Sequence, residues 1–241
     1  MLIGLGGLLI VLISGLLIFN QSVAGPADHH SSSTQMAQKE DHHRMDRHKQ
    51  DRRDPNDLDH APLYKIGQYY DSSKYGRIRL KGISTERNLV FSEGQLTTTI
   101  NWAKVCTNTP KTAAQRTNSA SDYNLDKVVN PYTYLKVRYT VKNLSHNSVS
   151  FGGVRQVALA NGTTLAGTDE LVIDDGQSEQ LAPHTKRVFT IHVLVDRFTD
   201  QARPQSIRLK FNGAKGSLTL KQVSKGFNCR LPITYTPAKS V

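Results

Sequence analysis

Alternation of apolar and polar positions dominates the chain from about residue 61 onward. Arg77-Ile78-Arg79-Leu80-Lys81 alternates basic and apolar side chains, and Leu96 to Val105 is rich in Thr and β-branched residues. Tyr134 to Lys142 places Leu135, Val137, Tyr139 and Val141 on one side of a strand. Val154 to Leu159 follows, stopped by the turn pair Asn161-Gly162. Arg187 to Val195 alternates with apolar residues on both sides, the mark of a central strand. Ile207 to Phe211 and Ser217 to Leu220 flank Asn212-Gly213-Ala214-Lys215-Gly216, which predicts a hairpin, and Cys229 to Thr236 predicts a last strand. No stretch of this region carries a helical stripe. The pattern predicts an all-β domain over residues 61–241, a sandwich or barrel.

Two earlier segments follow other rules. Residues 2–19 hold 18 positions without a charge, close to the minimum for a membrane-spanning helix. Residues 1–24 therefore read as a transmembrane anchor or as a signal peptide. The length of the run favours an uncleaved anchor, whereas Ser22-Val23-Ala24 before Gly25 supplies the small residues of a cleavage site, which would release the chain after Ala24. Residues 25–60 have almost nothing apolar to bury, which predicts a disordered linker. It holds six of the nine histidines: His29, His30, His42, His43, His48 and His60. Imidazoles suit zinc, copper or nickel, so a metal-handling exported protein is one expectation. Their spacing and the lack of a nearby Cys favour a solvated spacer, and no metal or cofactor is expected. The β domain is expected outside the membrane.

Charge changes the picture once it is divided among the segments. The chain carries +11 overall. Residues 28–60 hold six Lys or Arg against eight Asp or Glu, a net −2, so residues 61–241 carry +13. Arg77, Arg79 and Lys81 share one side of their strand, as do Lys136, Arg138 and Lys142, and Arg208 and Lys210 repeat the pattern. If these strands share a sheet, its solvent face is a basic platform for an anionic cell-surface polymer. Ordinary solubility and protection of strand edges explain the same lysines. The export signal argues against intracellular nucleic acid, and no nucleic-acid motif is present.

Chemistry-bearing motifs are few. There is no nucleophile elbow, zinc-protease helix or phosphate loop, and the chain is expected not to be an enzyme. His146 and His184 fall at predicted turns, and His192 falls mid-strand, where packing accounts for it. Asp169, Glu170, Asp174 and Asp175 form an acidic run that could hold calcium or simply balance the basic domain. Residues 107–131, rich in Thr, Asn, Ser and Ala, form an insertion, expected to be disordered or a short helix. Through it the chain could act instead as an accessory or inhibitor module recognising a partner protein. Cys106 and Cys229 lie 123 positions apart at strand ends. In an exported protein such a pair is expected to form a disulfide, which would stabilise by about 4–5 kcal/mol.

The stretch Tyr134–Asn143 (YLKVRYTVKN), Leu144-Ser145 and the Val149-Ser150-Phe151 strand resemble a secreted immunoglobulin-like domain of Gram-positive bacteria. Leu159-Ala160-Asn161-Gly162-Thr163 follows in the expected order, as does the Leu181-Ala182-Pro183-His184 turn before Arg187–Val195. The family is similar to a mycobacterial secreted immunogenic antigen. The resemblance spans roughly residues 90–212 and implies an immunoglobulin-like β-sandwich tethered to the membrane; it implies no catalytic residues.

Overall fold

A computed structural model describes residues 54–196 and 203–236. The apolar stretch 2–19 and the linker as far as residue 53, with five of its six histidines, lie outside the described residues. Among the described residues, no helix is long and apolar enough to cross a membrane.

The all-β expectation holds. A first hairpin, β1 (Tyr69–Ser72) and β2 (Gly76–Ser84), is followed by a second, β3 (Leu89–Glu93) and β4 (Leu96–Thr109). One helix, α1 (Ala113–Ser121), precedes β5 (Tyr132–Asn143). Short strands then alternate with turns: β6 (Val149–Phe151), β7 (Val154–Leu159), β8 (Thr164–Ala166), β9 (Val172–Asp174) and β10 (Glu179–Leu181). The last group is β11 (Lys186–Asp196), β12 (Ser206–Phe211), β13 (Ala214–Gly216), β14 (Gln222–Ser224) and β15 (Asn228–Thr234). All pairings between these strands are antiparallel.

The long sheet runs β8-β7-β12-β15-β2-β4-β5-β11-β9, with β1 added on β2 and β3 on β4. It curls over, so that inward residues of β7, β12 and β15 share one core with those of β4, β5 and β11. The two halves meet where β15 pairs with β2 through only two residue pairs, Ile233 with Ser84 and Thr234 with Ile83. A second sheet, β10-β6-β13-β14, adds Val149, Phe151, Leu181 and Ala214 to the same core. Tyr139 sits at its centre, edge-on to Phe211 at 5.2 Å and 5.5 Å from Phe189. Its hydroxyl donates to the buried Asp174 carboxylate at 2.7 Å, which also accepts from the Val154 and Gly176 amides. Asp174 is thus a fixture of the core, and among the described residues no group of three or more His, Cys, Asp or Glu is placed to hold a metal.

Inward residues of β4 are Leu96, Ile100, Ala103 and Val105, a spacing that breaks strict alternation. A bulge at Asn101 absorbs the extra residue where the β4–β5 register shifts between Ile100 and Trp102. The Thr140 hydroxyl donates to the Asn101 side chain at 2.9 Å and pins the bulge.

Two features named for the resemblance meet directly. Asn143, fully buried at the end of β5, donates to the carbonyls of Asn147, Leu181 and Ala182. Its side-chain oxygen accepts from the amide and hydroxyl of Ser145. One amide thus ties the Val-Lys-Asn strand end to the Leu-Ala-Pro turn.

Two expectations are corrected, and a third is decided between its alternatives. The Asn212–Gly216 stretch is not a hairpin turn: Ala214–Gly216 is itself β13, and the turn falls at Ser217–Leu220, where a strand was expected. Of the two states expected for residues 107–131, disorder or a short helix, the short helix is the one present. β4 continues to Thr109, α1 follows, and Tyr123, Leu125, Val128 and Val129 pack into a second apolar cluster. Finally, Cys106 and Cys229 are free thiols, and no disulfide forms. Cys106 points into the second cluster beside Leu80 and Tyr134, whereas Cys229 points into the main core beside Leu209. Strand β2 lies between β4 and β15 in the sheet, so the two sulfurs belong to separate compartments.

Candidate functional site: a basic face and a tyrosine-lined cavity

Register decides which basic residues meet. Directly paired residues of neighbouring antiparallel strands point to the same side. Leu80 pairs with Cys106, and Cys106 with Tyr134; all three lie on the outer face of β2-β4-β5, in the second cluster. Arg79 pairs with Thr107 and Arg77 with Thr109, so both arginines point to the opposite side from Tyr134, Lys136 and Arg138. The expected single platform therefore does not exist, because the first two stripes occupy opposite sides of one sheet. Lys81 is the extra residue at the register shift between Leu80 and Gly82, half-buried there. Arg208 and Lys210 alternate with Ile207, Leu209 and Phe211 of β12, which share the core with Val137 and Tyr139. They project from the far wall, with Arg208 opposite Arg230.

Arg77 and Arg79 are also committed locally. Both guanidinium groups lie over the Tyr69 ring, at 4.3 and 4.7 Å. Arg77 makes two hydrogen bonds to Asp71, at 3.1 and 2.9 Å, and Lys111 joins the same carboxylate at 3.0 Å. The hydrogen bond from Arg77, helped by Lys111, holds the Asp71 carboxyl down at about 2.

The outer face of β4, β5 and β11 is different. Lys104 pairs directly with Lys136, Trp102 with Arg138, and Lys142 with Lys186. Two pairs of like charges thus stand opposite one another on one face, an arrangement that costs stability in a sheet. Among the described residues none of these five cations forms an ion pair with a carboxylate. Lys104 is itself buried. Its ammonium donates to the Leu63 carbonyl at 2.5 Å and lies 4.2 Å from the Trp102 ring and 5.4 Å from Tyr64. Burial holds it below the usual lysine range, and Lys136, Arg87 and Arg138 push the same way. Sequence reasoning passed over Trp102 and Lys104. Their signal was parity: Trp102, Lys104, Cys106 and Asn108 occupy the side of β4 opposite Ala103 and Val105.

Next to Lys136 the face dips into a cavity of about 110 Å3 between the sheet and the segment after α1. Tyr70, Tyr134 and His192 line it with Asn108 and Lys136, and Asp122 and Tyr123 close it from the insertion. α1 is held over the sheet by a reciprocal cap: Thr112 accepts from the Gln115 amide while the Gln115 side chain accepts from the Thr112 amide. Gln115 and Asn118 also donate to the carbonyls of Ser72, Ser73 and Lys74, fastening the helix to the β1–β2 turn. His192 pairs with Lys136 across the strands and is 5.8 Å from the Tyr134 ring. Burial, with Lys136 adding to it, lowers its pKa to about 4, so the imidazole is neutral at physiological pH. Burial raises the Tyr70 and Tyr134 phenols and pushes the Cys106 thiol up to about 11. The cavity therefore offers neutral hydroxyls, a neutral imidazole, the Lys136 ammonium and the Asp122 carboxylate, which Lys74 approaches at 3.7 Å. His146 and His184, expected at turns, form an exposed pair with 3.0 Å between ring nitrogens.

No protein-family model and no curated protein matches this sequence. Solved structures with some likeness include a functionally unknown protein from Listeria monocytogenes, at 12% identity and a TM-score of 0.40, over 66% of this chain and 88% of that one. The yjhA protein from Bacillus subtilis gives 12% identity and a TM-score of 0.33, over 53% and 81% of the two chains. The structural-genomics target SoR45 gives 14% and 0.27, over 57% and 88%. Scores of this size carry no argument about fold or activity.

Proposed function

We propose that this chain is an exported, membrane-tethered binding module without enzymatic activity, whose immunoglobulin-like sandwich engages an anionic cell-surface polymer. One observation carries the polymer reading: the facing like charges Lys104–Lys136 and Lys142–Lys186, with Arg138 between them. A sheet that keeps such pairs without carboxylates bears a standing repulsion that a polyanion would relieve. Lys136, Arg138 and Lys142 run along β5 over about 20 Å, at roughly 3.4 Å per residue, which suits a chain of repeating charges better than one small anion. The apolar N-terminal run supports export and tethering. The contact residues narrow to Lys136, Arg138, Lys142 and Lys186; Arg77, Arg79, Lys81, Arg208 and Lys210 fall outside them.

Retention on an immobilised polyphosphate column at graded salt tests this. Wild type is expected to bind at about 50 mM salt and to elute as salt rises, because released counterions drive such binding. Lys136→Glu/Arg138→Glu is expected in the flow-through, and Arg208→Glu/Lys210→Glu with wild type. Equal retention of the two double variants would sink the assignment to this face.

A further inference from the structure

The turn between β13 and β14 holds two leucines in open solvent, Leu218 at 97% exposure and Leu220 at 71%. Leu220 also has a left-handed backbone, with φ at 57°, a conformation that costs a leucine energy. The turn is nonetheless firmly built. The Leu220 amide donates to the Gly216 carbonyl at 2.8 Å, and the Gly216 amide to the Lys221 carbonyl at 2.9 Å. The Ser217 amide donates to the Ser148 carbonyl at 3.0 Å, which fixes the turn against the β5–β6 loop, residues 144–148. That loop presents Leu144, itself 44% exposed. Charge around these leucines is mostly of one sign. Lys215 and Lys221 flank the turn, Lys225 follows β14, and Lys142 precedes the Leu144 loop; all four are exposed. Among the described residues none of the four forms an ion pair with a carboxylate. No Asp or Glu occurs from residue 201 to 241, or between Asp126 and Asp169. Other elements bring two carboxylates toward this end. Glu93 lies beside the Gly94-Gln95 turn, whose Gln95 amide donates to the Val223 carbonyl, and Glu179 of β10 is already held by Arg187.

The geometry points to docking of this tip on an anionic lipid bilayer, with Leu218 and Leu220 entering the boundary between headgroups and acyl chains. Exposed leucines gain from an apolar medium and unpaired lysines from anions. A bilayer with anionic headgroups supplies both, and at the right depths, since lysines keep their ammonium groups at the headgroups while leucines go deeper. A symmetric contact with a second copy of the chain would set these lysines against the same lysines. The turn itself gains nothing from a leucine at Leu220, because asparagine takes that backbone more readily. Strain retained at an exposed apolar side chain fits a role for that side chain outside the fold. The tip shares Lys142 with the basic face but goes beyond the polymer reading, because a soluble polyanion has no place for leucines.

A probe on the tip separates its contact from any made by the apolar N-terminal run. The full chain with Leu218→Cys is labelled with the environment-sensitive fluorophore NBD and mixed with phosphatidylcholine vesicles, with or without phosphatidylglycerol. Cys106 and Cys229 are buried, and the wild-type chain treated alike is the blank. With phosphatidylglycerol the emission is expected to shift to the blue and to be quenched by nitroxide-bearing lipids. In phosphatidylcholine alone, or with the label at Thr163→Cys in the β7–β8 turn, it is expected to stay at its aqueous position. Adding Lys215→Gln/Lys221→Gln is expected to lower the ratio of inserted to free tip roughly thirtyfold, about fivefold per lysine. Adding Leu220→Asn instead is expected to lower it roughly tenfold, with a urea midpoint no lower than that of its parent. Aqueous emission at Leu218→Cys in both lipids would overturn the docking, as would equal shifts at the two labels or equal shifts in the two lipids. A shift that grows with protein density in the membrane and ignores phosphatidylglycerol would overturn it in favour of a second copy. Leu220→Asn is expected to leave polyphosphate retention unchanged, so failure of the tip leaves the polymer reading standing.

Discussion

His192 is a residue whose position on a strand has a measurable consequence. Its folded pKa of about 4 lies below its ordinary 6.5, because burial and Lys136 oppose its charging while Asp122 acts weakly the other way. Between these two values the unfolded chain binds more protons than the folded one, so stability rises with pH through that window and falls on acidification. Lowering the pH from 6.5 to 4 is expected to remove up to about 3 kcal/mol, at 1.36 kcal/mol per unit. His192→Phe is expected to flatten that part of the profile, measured by urea unfolding at pH 7 and pH 4.5; an unchanged slope would remove His192 as its source. Asp174, raised by burial, acts in the opposite sense at the acid end, and comparison with the variant cancels it. That His192 is packed follows from the sequence, since it sits within an alternating apolar strand. The burial of Asn108 does not, because its bond to the Tyr132 hydroxyl joins two strands that only the fold brings together.

At the scale of elements, the long strands were legible because their alternation is regular: β2, β5, β7, β11, β12 and β15 fall close to where the pattern puts them. What alternation cannot convey is the face that one strand's stripe shares with its neighbour's. A single register step reverses every side chain, and the bulges at Asn101 and Lys81 shift the count again. Arg77 and Arg79 therefore parted from Lys136 and Arg138. β13 was missed because a strand of three residues with a glycine, Ala214–Gly216, reads as a turn. The insertion's polar composition left disorder and a short helix both open: α1 is held by its capping box and by hydrogen bonds to β-turn carbonyls, with only Ser119 and Ala120 buried. Thr112→Ala removes one half of that box and is expected to cost about 1 kcal/mol. Because α1 leads into the cavity wall, amide hydrogen exchange is expected to accelerate at Tyr123 and Leu125 more than in β5; uniform acceleration would show that the cap matters only globally.

For the molecule as a whole, two cores share one sheet. The main core lies inside the curl, and the second lies outside it under the insertion, with β4 and β5 contributing one side to each. Cys106 marks the second core and Cys229 the main one. Burial lifts the two thiols to about 11 and about 12, so neither is expected to react with a disulfide reagent at neutral pH in the folded protein. In increasing urea, Cys106 is expected to be labelled first, since its cluster is the smaller and is covered by a polar helix. Labelling of both at one urea concentration would show that the cores open together.

Trp102 gives the basic face a property of its own. It is the only tryptophan in the chain, and it pairs with Arg138 while Lys104 stands 4.2 Å from its ring. The indole excited state is sensitive to nearby charge, so an anion settling among these cations alters the field at the one fluorophore that absorbs at the red edge. Its emission therefore reports occupancy of the face without a label, while the tyrosines around the cavity stay dark at that wavelength.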